Sequence, residues 1–286
     1  MFKMVVVLYN MTFSESSTII SLNKLLASAA FPEIREVLIF DNSQKASEPQ
    51  GLDQRFAYYH SKENVGLARA YNRALEESKE EIAWLVTLDQ DTTLTGDYLN
   101  ELISCSAKVS DSTVAIAPII KDQEQQISPV RSDTLRPLHS ALPQGNQTYS
   151  SDIMVINSAI ALRTGFLKKI GGYNLEFSLD YLDHWLSWRI FAEGKEVRIL
   201  KVELQHQLSV LNYAEHMNFF RYQTILQAEK CYYSLYATNL FFKYRQQLFL
   251  RGAKQLVTGK FRYAKRTFIF LFLGGKDGKQ STKENG

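Results

Sequence analysis

The sequence predicts an α/β protein: a mainly parallel central sheet flanked by helices, followed by a C-terminal helical extension. Three observations carry this. Short apolar runs alternate with segments of helical periodicity through residues 1–118, and strands joined by crossover helices pair in parallel. The runs, such as Lys3–Leu8, are continuous rather than alternating, the pattern of strands covered on both faces. Near residue 210 the charge reverses: residues 1–209 carry a net −6, and the last 77 residues carry +9 and hold 16 of the 35 aromatics.

Each element has a local reason. Lys3–Leu8 is the first strand and stops at Tyr9-Asn10. Ser16–Ala30 puts Ile19, Leu22, Leu25 and Leu26 on one helical face and ends before Pro32. Glu36–Phe40 is a second buried strand running into Asp41-Asn42-Ser43, and Phe56–His60 a short third. Asn64-Val65-Gly66 turns into a helix over Leu67–Lys79. Ile82–Leu88 is the fourth strand and meets Asp89-Gln90-Asp91; a helix over Gly96–Ser110 and a strand over Val114–Pro118 follow. Residues 119–152, with Pro129, Pro137 and Pro143, read as a variable loop. Beyond it, Asp180 precedes a helix that starts near Tyr181.

The resulting organisation is a 1–209 domain with halves of about 1–118 and 119–209, an extension over 210–275, and a 276–286 tail. Cys105 and Cys231 fit no metal spacing and no disulfide framework. No apolar run reaches the ~18 residues of a membrane span. The start, Met1–Leu8, carries one lysine and reads as no signal peptide. A reducing cytoplasm is the expected compartment. Neither a G-x-G-x-x-G after the first strand nor a P-loop is present, which removes support from dinucleotide redox chemistry and NTP hydrolysis.

Asp41, Asn64 and Asp89 each fall just past the carboxyl end of an expected strand, and ligands of open parallel sheets bind outside those ends. Taken alone, Asp89-Gln90-Asp91 is an ordinary solvated turn; three polar clusters at successive strand ends point to one crevice. Alternation along extended chain puts Asp89 and Asp91 on the same side, and two hard oxygen ligands suit Mg²⁺ or Mn²⁺. The Asn64–Gly66 turn can offer helix-start amides to an anion, with Arg69 adding positive charge; taken alone, it reads as an ordinary N-terminal cap with a solvated Arg69. Asp180 caps a helix as readily as it does chemistry. Asp183, one turn in and flanked by Trp185 and Trp188, is placed for a base whose pKa is lifted by a partly dry wall.

With these pieces in place, nearly the whole chain, residues 3–275, resembles family 2 glycosyltransferases of the GT-A (Rossmann-like) fold. More narrowly, it resembles bacterial rhamnosyltransferases of cell-surface polysaccharide synthesis. The matching pieces are Tyr9-Asn10, Asp41-Asn42-Ser43, Asn64-Val65-Gly66 through Asn72, Leu88-Asp89-Gln90-Asp91, Gly171-Gly172-Tyr173-Asn174, Asp180-x-x-Asp183 with Arg189, and His206. The Leu-Asp-Gln-Asp form is the one most typical of the rhamnosyl subgroup.

The resemblance implies an inverting transfer from a nucleotide-sugar donor, dTDP-rhamnose by subgroup. Tyr9, Asn10, Asp41, Asn42, Asn64, Gly66, Arg69 and Asp89 would bind the donor. Asp89, Asp91 and His206 would hold Mn²⁺ or Mg²⁺. Asp183, with Asp180 as second choice, would be the base, and Ser158 and Trp185 would face the acceptor. The position four before Arg189, often acidic in the family, is Trp185; Asp180 and Asp183 therefore compete, with Asp183 favoured. A UDP-galactose or UDP-glucose transferase and a non-catalytic nucleotide-binding subunit are the alternatives.

The last 77 residues show helical periodicity over Phe219–Leu235 and Asn239–Leu250, with aromatic and basic residues interleaved through Phe261–Arg266. Such helices suit an anionic membrane interface, which a polyprenyl-linked glycan acceptor at the inner leaflet requires. They equally suit a homodimer surface. No nucleic-acid module motif is present. The expected localisation is cytoplasmic, peripheral on the inner face of the cell membrane.

Overall fold

A computed structural model describes residues 1–28, 31–135, 142–206 and 218–273. The expected tail over 276–286, Pro137 and the last two residues of the expected first helix lie outside the described residues. The chain forms two compact units, 1–210 and 211–286.

In the first unit β1 (Phe2–Leu8), β2 (Ile34–Asp41), β3 (Phe56–His60) and β4 (Trp84–Leu88) are parallel neighbours in the order β3-β2-β1-β4. All seven residues of β1 and all five of β4 are buried, as continuous apolar runs demand. Helices α1 (Ser17–Ala27), α2 (Gly66–Glu76) and α3 (Gly96–Ser106) connect them and lead onward. Ser16 caps α1 by accepting from Ile19 N–H, and Thr95 caps α3 by accepting from Tyr98 N–H. Leu22, Leu26, Leu99 and Leu102 cover the sheet with Val6, Leu8, Ile39 and Val86.

Beyond β4 the sheet changes direction. β10 (Ile160–Arg163) lies between β4 and β5 (Thr113–Asp122), antiparallel to both, and β11 (Glu196–Gln205) runs parallel to β5. Strands from both expected halves thus share one sheet. Because β10 is reversed, the residues entering it, Asn157 and Ser158, arrive at the carboxyl end of β4. The last residues of β11 arrive at the same rim, where His206 bridges Thr92.

Residues 119–152 are not simply a loop. β5 runs on to Asp122, β6 (Gln125–Ser128) pairs back on it, β7 (Val130–Arg131) pairs with β9 (Ile153–Met154), and β8 (Gln147–Tyr149) closes the sheet against β11. These strands have two to four residues, and β6 and β8 contain Gln with Ser or Thr; pairing partners, not local propensity, form them. Helices α4 (Thr164–Lys169) and α5 (Leu182–Ala192) complete the unit.

The second unit comprises α6 (Phe219–Leu235), a short 3₁₀ turn (Thr238–Leu240), α7 (Phe241–Val257) and α8 (Phe261–Leu273). Its interior holds a buried Glu229 paired with both terminal nitrogens of Arg251 at 2.9 Å, a fork that satisfies both groups. Among the described residues no helix is long and apolar enough to cross a membrane.

Candidate active site

The acidic turn after β4 is fixed from beneath by the start of α1. Thr18 Oγ1 donates to Asp89 O (2.6 Å) or Thr92 O (2.8 Å) and accepts from Thr92 N–H (2.9 Å); Ser16 Oγ donates to Gln90 O at 2.6 Å. The middle residue of the turn faces the other way, with Gln90 Oε1 accepting from Tyr9 N–H at 2.8 Å. Asp89 and Asp91 are thereby held on one side, as the alternation argument predicts. Their carboxylates and the His206 ring each offer a ligand atom within 4.8 Å of one another.

The electrostatics favour a cation there. Burial, with the charges of Asp91 and Asp183, pushes Asp89 up to about 8. Burial raises Asp91, against the pull of His206, 3.6 Å away. Burial also lowers His206, which keeps the imidazole neutral and able to ligate. Opposite ligands of a divalent ion lie roughly 4–4.5 Å apart, so the three fit with little adjustment. Two hard carboxylates with an imidazole suit Mn²⁺ better than Mg²⁺, whose usual partners are oxygen. Thr92, fully buried, sits 2.7 Å from His206 Nδ1 and 2.7 Å from Ser158 Oγ, and the Ser158 hydroxyl acts to lower Asp89 against its burial. The expected acceptor contact at Ser158 is thus a 1 % exposed hydroxyl inside this network, on the metal side of the crevice.

Asp183 enters from α5. It accepts from Asn157 N–H at 3.2 Å and from Asn157 Nδ2. Burial, with a smaller push from Asp180, raises it to about 7 against those hydrogen bonds. Tyr71 lies in the field of both Asp89 and Asp183, its ring 5.0 Å from that of Tyr173, so the two carboxylates share one wall. Trp185 is buried with Leu182, Leu186 and Ile190 on the core-facing side of α5, and Arg189 pairs with Glu193 at 2.9 Å.

The residues expected at the donor end are gathered at the ends of β1 and β2. Tyr9 is 48 % exposed. Asn10 adopts a positive φ of 52°, its N–H donating to Ser43 Oγ. Asp41 is fully buried: one oxygen accepts Ser43 N–H at 2.9 Å and the other the Tyr58 hydroxyl at 2.7 Å. At the start of α2 the structure shows the ordinary cap with a solvated Arg69, not the anion cradle. The amides that open α2 are not free for an anion: Val65 N–H donates to Asn42 Oδ1, Gly66 N–H to Asn64 Oδ1, and Leu67 N–H to Ser178 O at 2.7 Å. Arg69 points outward, exposed. Gly66 is required there, at φ +81° with Ser178 O 2.5 Å from where a Cβ would stand.

Sequence reasoning missed Thr18, Thr92, Gln90 and Asn157 as contributors. Thr92 and Asn157 adjoin residues already singled out, and their hydroxyl and amide were the available signal.

A mainly parallel sheet with an acidic, cation-suited turn at one strand end and a raised carboxylate acting on it defines a nucleotide-sugar transferase fold of the GT-A class. The chain belongs to glycosyl transferase family 2, whose family model matches residues 4–171. Three solved structures share the fold. GalNAc-T7 with UDP, GalNAc and Mn²⁺ is 13 % identical, TM-score 0.52, over 72 % of this chain and 43 % of that one. The mannosyltransferase PcManGT from Pyrobaculum calidifontis, in complex with GDP-Man and Mn²⁺, is 16 % identical, TM-score 0.52, over 80 % and 62 %. S. aureus TarS 1–349 in complex with UDP is 16 % identical, TM-score 0.50, over 88 % and 79 %. The chain thus spans under half of the first and less than two thirds of the second. A search of curated proteins finds no match.

Proposed function

We propose that the chain is an inverting, metal-dependent hexosyltransferase that moves L-rhamnose from dTDP-rhamnose onto a polyprenyl-linked glycan at the inner face of a cell membrane. The observation that carries the transferase reading is the convergence of Asp183 with the Asp89–Asp91–His206 cluster, both carboxylates acting on Tyr71. The rhamnosyl assignment rests on the Leu88-Asp89-Gln90-Asp91 form.

Each group has a task. Exposed Tyr9 offers a face to the nucleobase, and Asp41 orders the loop beneath the nucleoside through Ser43 and Tyr58. Asp89, Asp91 and His206 would hold Mn²⁺ or Mg²⁺, which supplies charge neutralisation for the departing diphosphate. Asp183 takes the acceptor hydroxyl proton as the acceptor oxygen bonds to the anomeric carbon and the bond from that carbon to the diphosphate oxygen breaks. A carboxylate lifted to about 7 is matched to that work near neutral pH. Asp180 acts on it as a neighbouring charge, a supporting role.

The test is Asp183→Asn assayed with dTDP-rhamnose and a lipid-linked acceptor. Donor binding persists and transfer falls by about 100-fold or more; unchanged transfer would assign the base elsewhere. An unchanged wild type that binds donor but never transfers would instead make the chain a nucleotide-binding subunit.

A further inference from the structure

The outward face of α7 and α8 is built like a membrane-surface helix pair. Phe242, Phe249 and Leu256 recur every seven residues on α7, a spacing that drifts only ~20° per step. All three are exposed, Phe242 by 71 %. Val257 (89 %) and Leu250 are exposed beside them. Exposed Arg245 flanks one edge of this stripe and exposed Lys243 and Lys254 the other, while Tyr244, Leu248 and Gly252 face inward. On α8, Phe261, Lys265, Phe268 and Phe272 follow the i, i+4, i+7, i+11 pattern, with Phe261 and Phe272 each 68 % exposed. The stripes meet where the Phe249 and Phe268 rings pack edge-on at 5.8 Å, and Phe272 stacks on Phe268 at 6.2 Å. Gly252 permits this junction, since a Cβ there would stand 2.8 Å from Phe268.

We infer that this face docks on an anionic lipid bilayer, the aromatic stripe entering the headgroup boundary and the flanking cations meeting lipid phosphates. Charge selects the occupant. Residues 218–273 carry ten Lys and Arg against one acidic residue, Glu229, which is buried in its pair with Arg251. A second copy would bring two cationic faces together at a cost. A nucleic acid would use the cations and leave the central aromatic stripe in water, whereas a bilayer takes both. The inference deepens the membrane reading above and rests on it for purpose.

The experiment is co-sedimentation of the full chain with phosphatidylcholine vesicles, with and without about one third phosphatidylglycerol, for wild type, Phe242→Ser/Phe249→Ser and Lys243→Glu/Lys254→Glu. Wild type binds the anionic vesicles, and each double variant loses affinity by about tenfold or more. Phe242, Lys243 and Lys254 are exposed, and Phe249 is half-exposed against Phe268, so the circular-dichroism melting curve checks that each variant keeps its fold. Nucleotide-sugar binding, read separately without vesicles, stays unchanged; its absence would count against the transferase reading and not this surface. Equal partitioning of wild type and both variants, or wild-type binding to neither vesicle, overturns the inference. So does a dimer in light scattering that Phe242→Ser/Phe249→Ser dissociates, which would give the face to a second copy.

Discussion

The side chain of Gln90 pairs with the backbone of Tyr9 across 81 positions, accepting from its N–H at 2.8 Å and donating to its carbonyl at 3.4 Å. The middle residue of the acidic turn thus ties the expected diphosphate end of the crevice to its expected nucleobase end. Gln90→Ala frees both loops. One net hydrogen bond is worth about 1 kcal/mol, so the donor KM rises about fivefold while the melting temperature moves little; steady-state kinetics across donor concentrations check it.

Thr92 is the buried hydroxyl between His206 and Ser158. Thr92→Val keeps the volume and removes both hydrogen bonds. Groups that orient a metal ligand are worth about 10–100-fold in affinity. The Mn²⁺ concentration for half-maximal activity rises by that order, and excess Mn²⁺ restores turnover. Asp91→Asn is not rescued in this way. EDTA abolishes activity of the wild type, and added Mn²⁺ returns it.

Asp183 must be unprotonated to act as base, and burial raises it to about 7. kcat/KM therefore climbs as pH rises toward about 7 and levels above it. Stability runs the other way. The folded protein holds this proton more tightly than the unfolded chain, whose carboxylates titrate near ~4. Asp183 is neutral in the fold below about 7, and its penalty grows as pH rises from ~4 through that value. Asp183→Asn is consequently more heat-stable than wild type at pH 8, by a margin that shrinks toward pH 5. Calorimetric melting at the two pH values checks the sign.

Asn72 clamps the Gly171–Tyr173 turn from both sides: its Nδ2 donates to Tyr173 O at 2.8 Å and its Oδ1 accepts Tyr173 N–H at 2.7 Å. Gly172 sits at φ +82°, and a Cβ there would be 2.5 Å from Asn72 Oδ1. Gly172→Ala costs about 2 kcal/mol or more and displaces the Tyr173 ring beside Tyr71. Urea unfolding reads the loss.

The parallel half of the fold was legible because burial on both faces writes itself into single strands: Lys3–Leu8 and Ile82–Leu88 need no partner to be recognised. The acidic turn was legible because Asp89 and Asp91 follow such a strand. The rest depends on pairing. β10 enters the sheet reversed, and only that brings Asn157 and Ser158 to Asp89 and Asp183. β6 to β9 are too short, and β6 and β8 too polar, to signal themselves. The cap on α2 was legible only in part: Asn64 is local, but the other acceptors, Asn42 and Ser178, come from distant segments.

The most direct measurement is calorimetric binding of a nucleotide-sugar panel with Mn²⁺, with Mg²⁺ and with EDTA. The account predicts metal-dependent binding, dTDP-rhamnose tighter than any UDP-hexose, and its loss in Asp91→Asn. Preference for a UDP-hexose would replace the donor and leave the site standing. Binding of no nucleotide-sugar under any of the three conditions would contradict the transferase account itself.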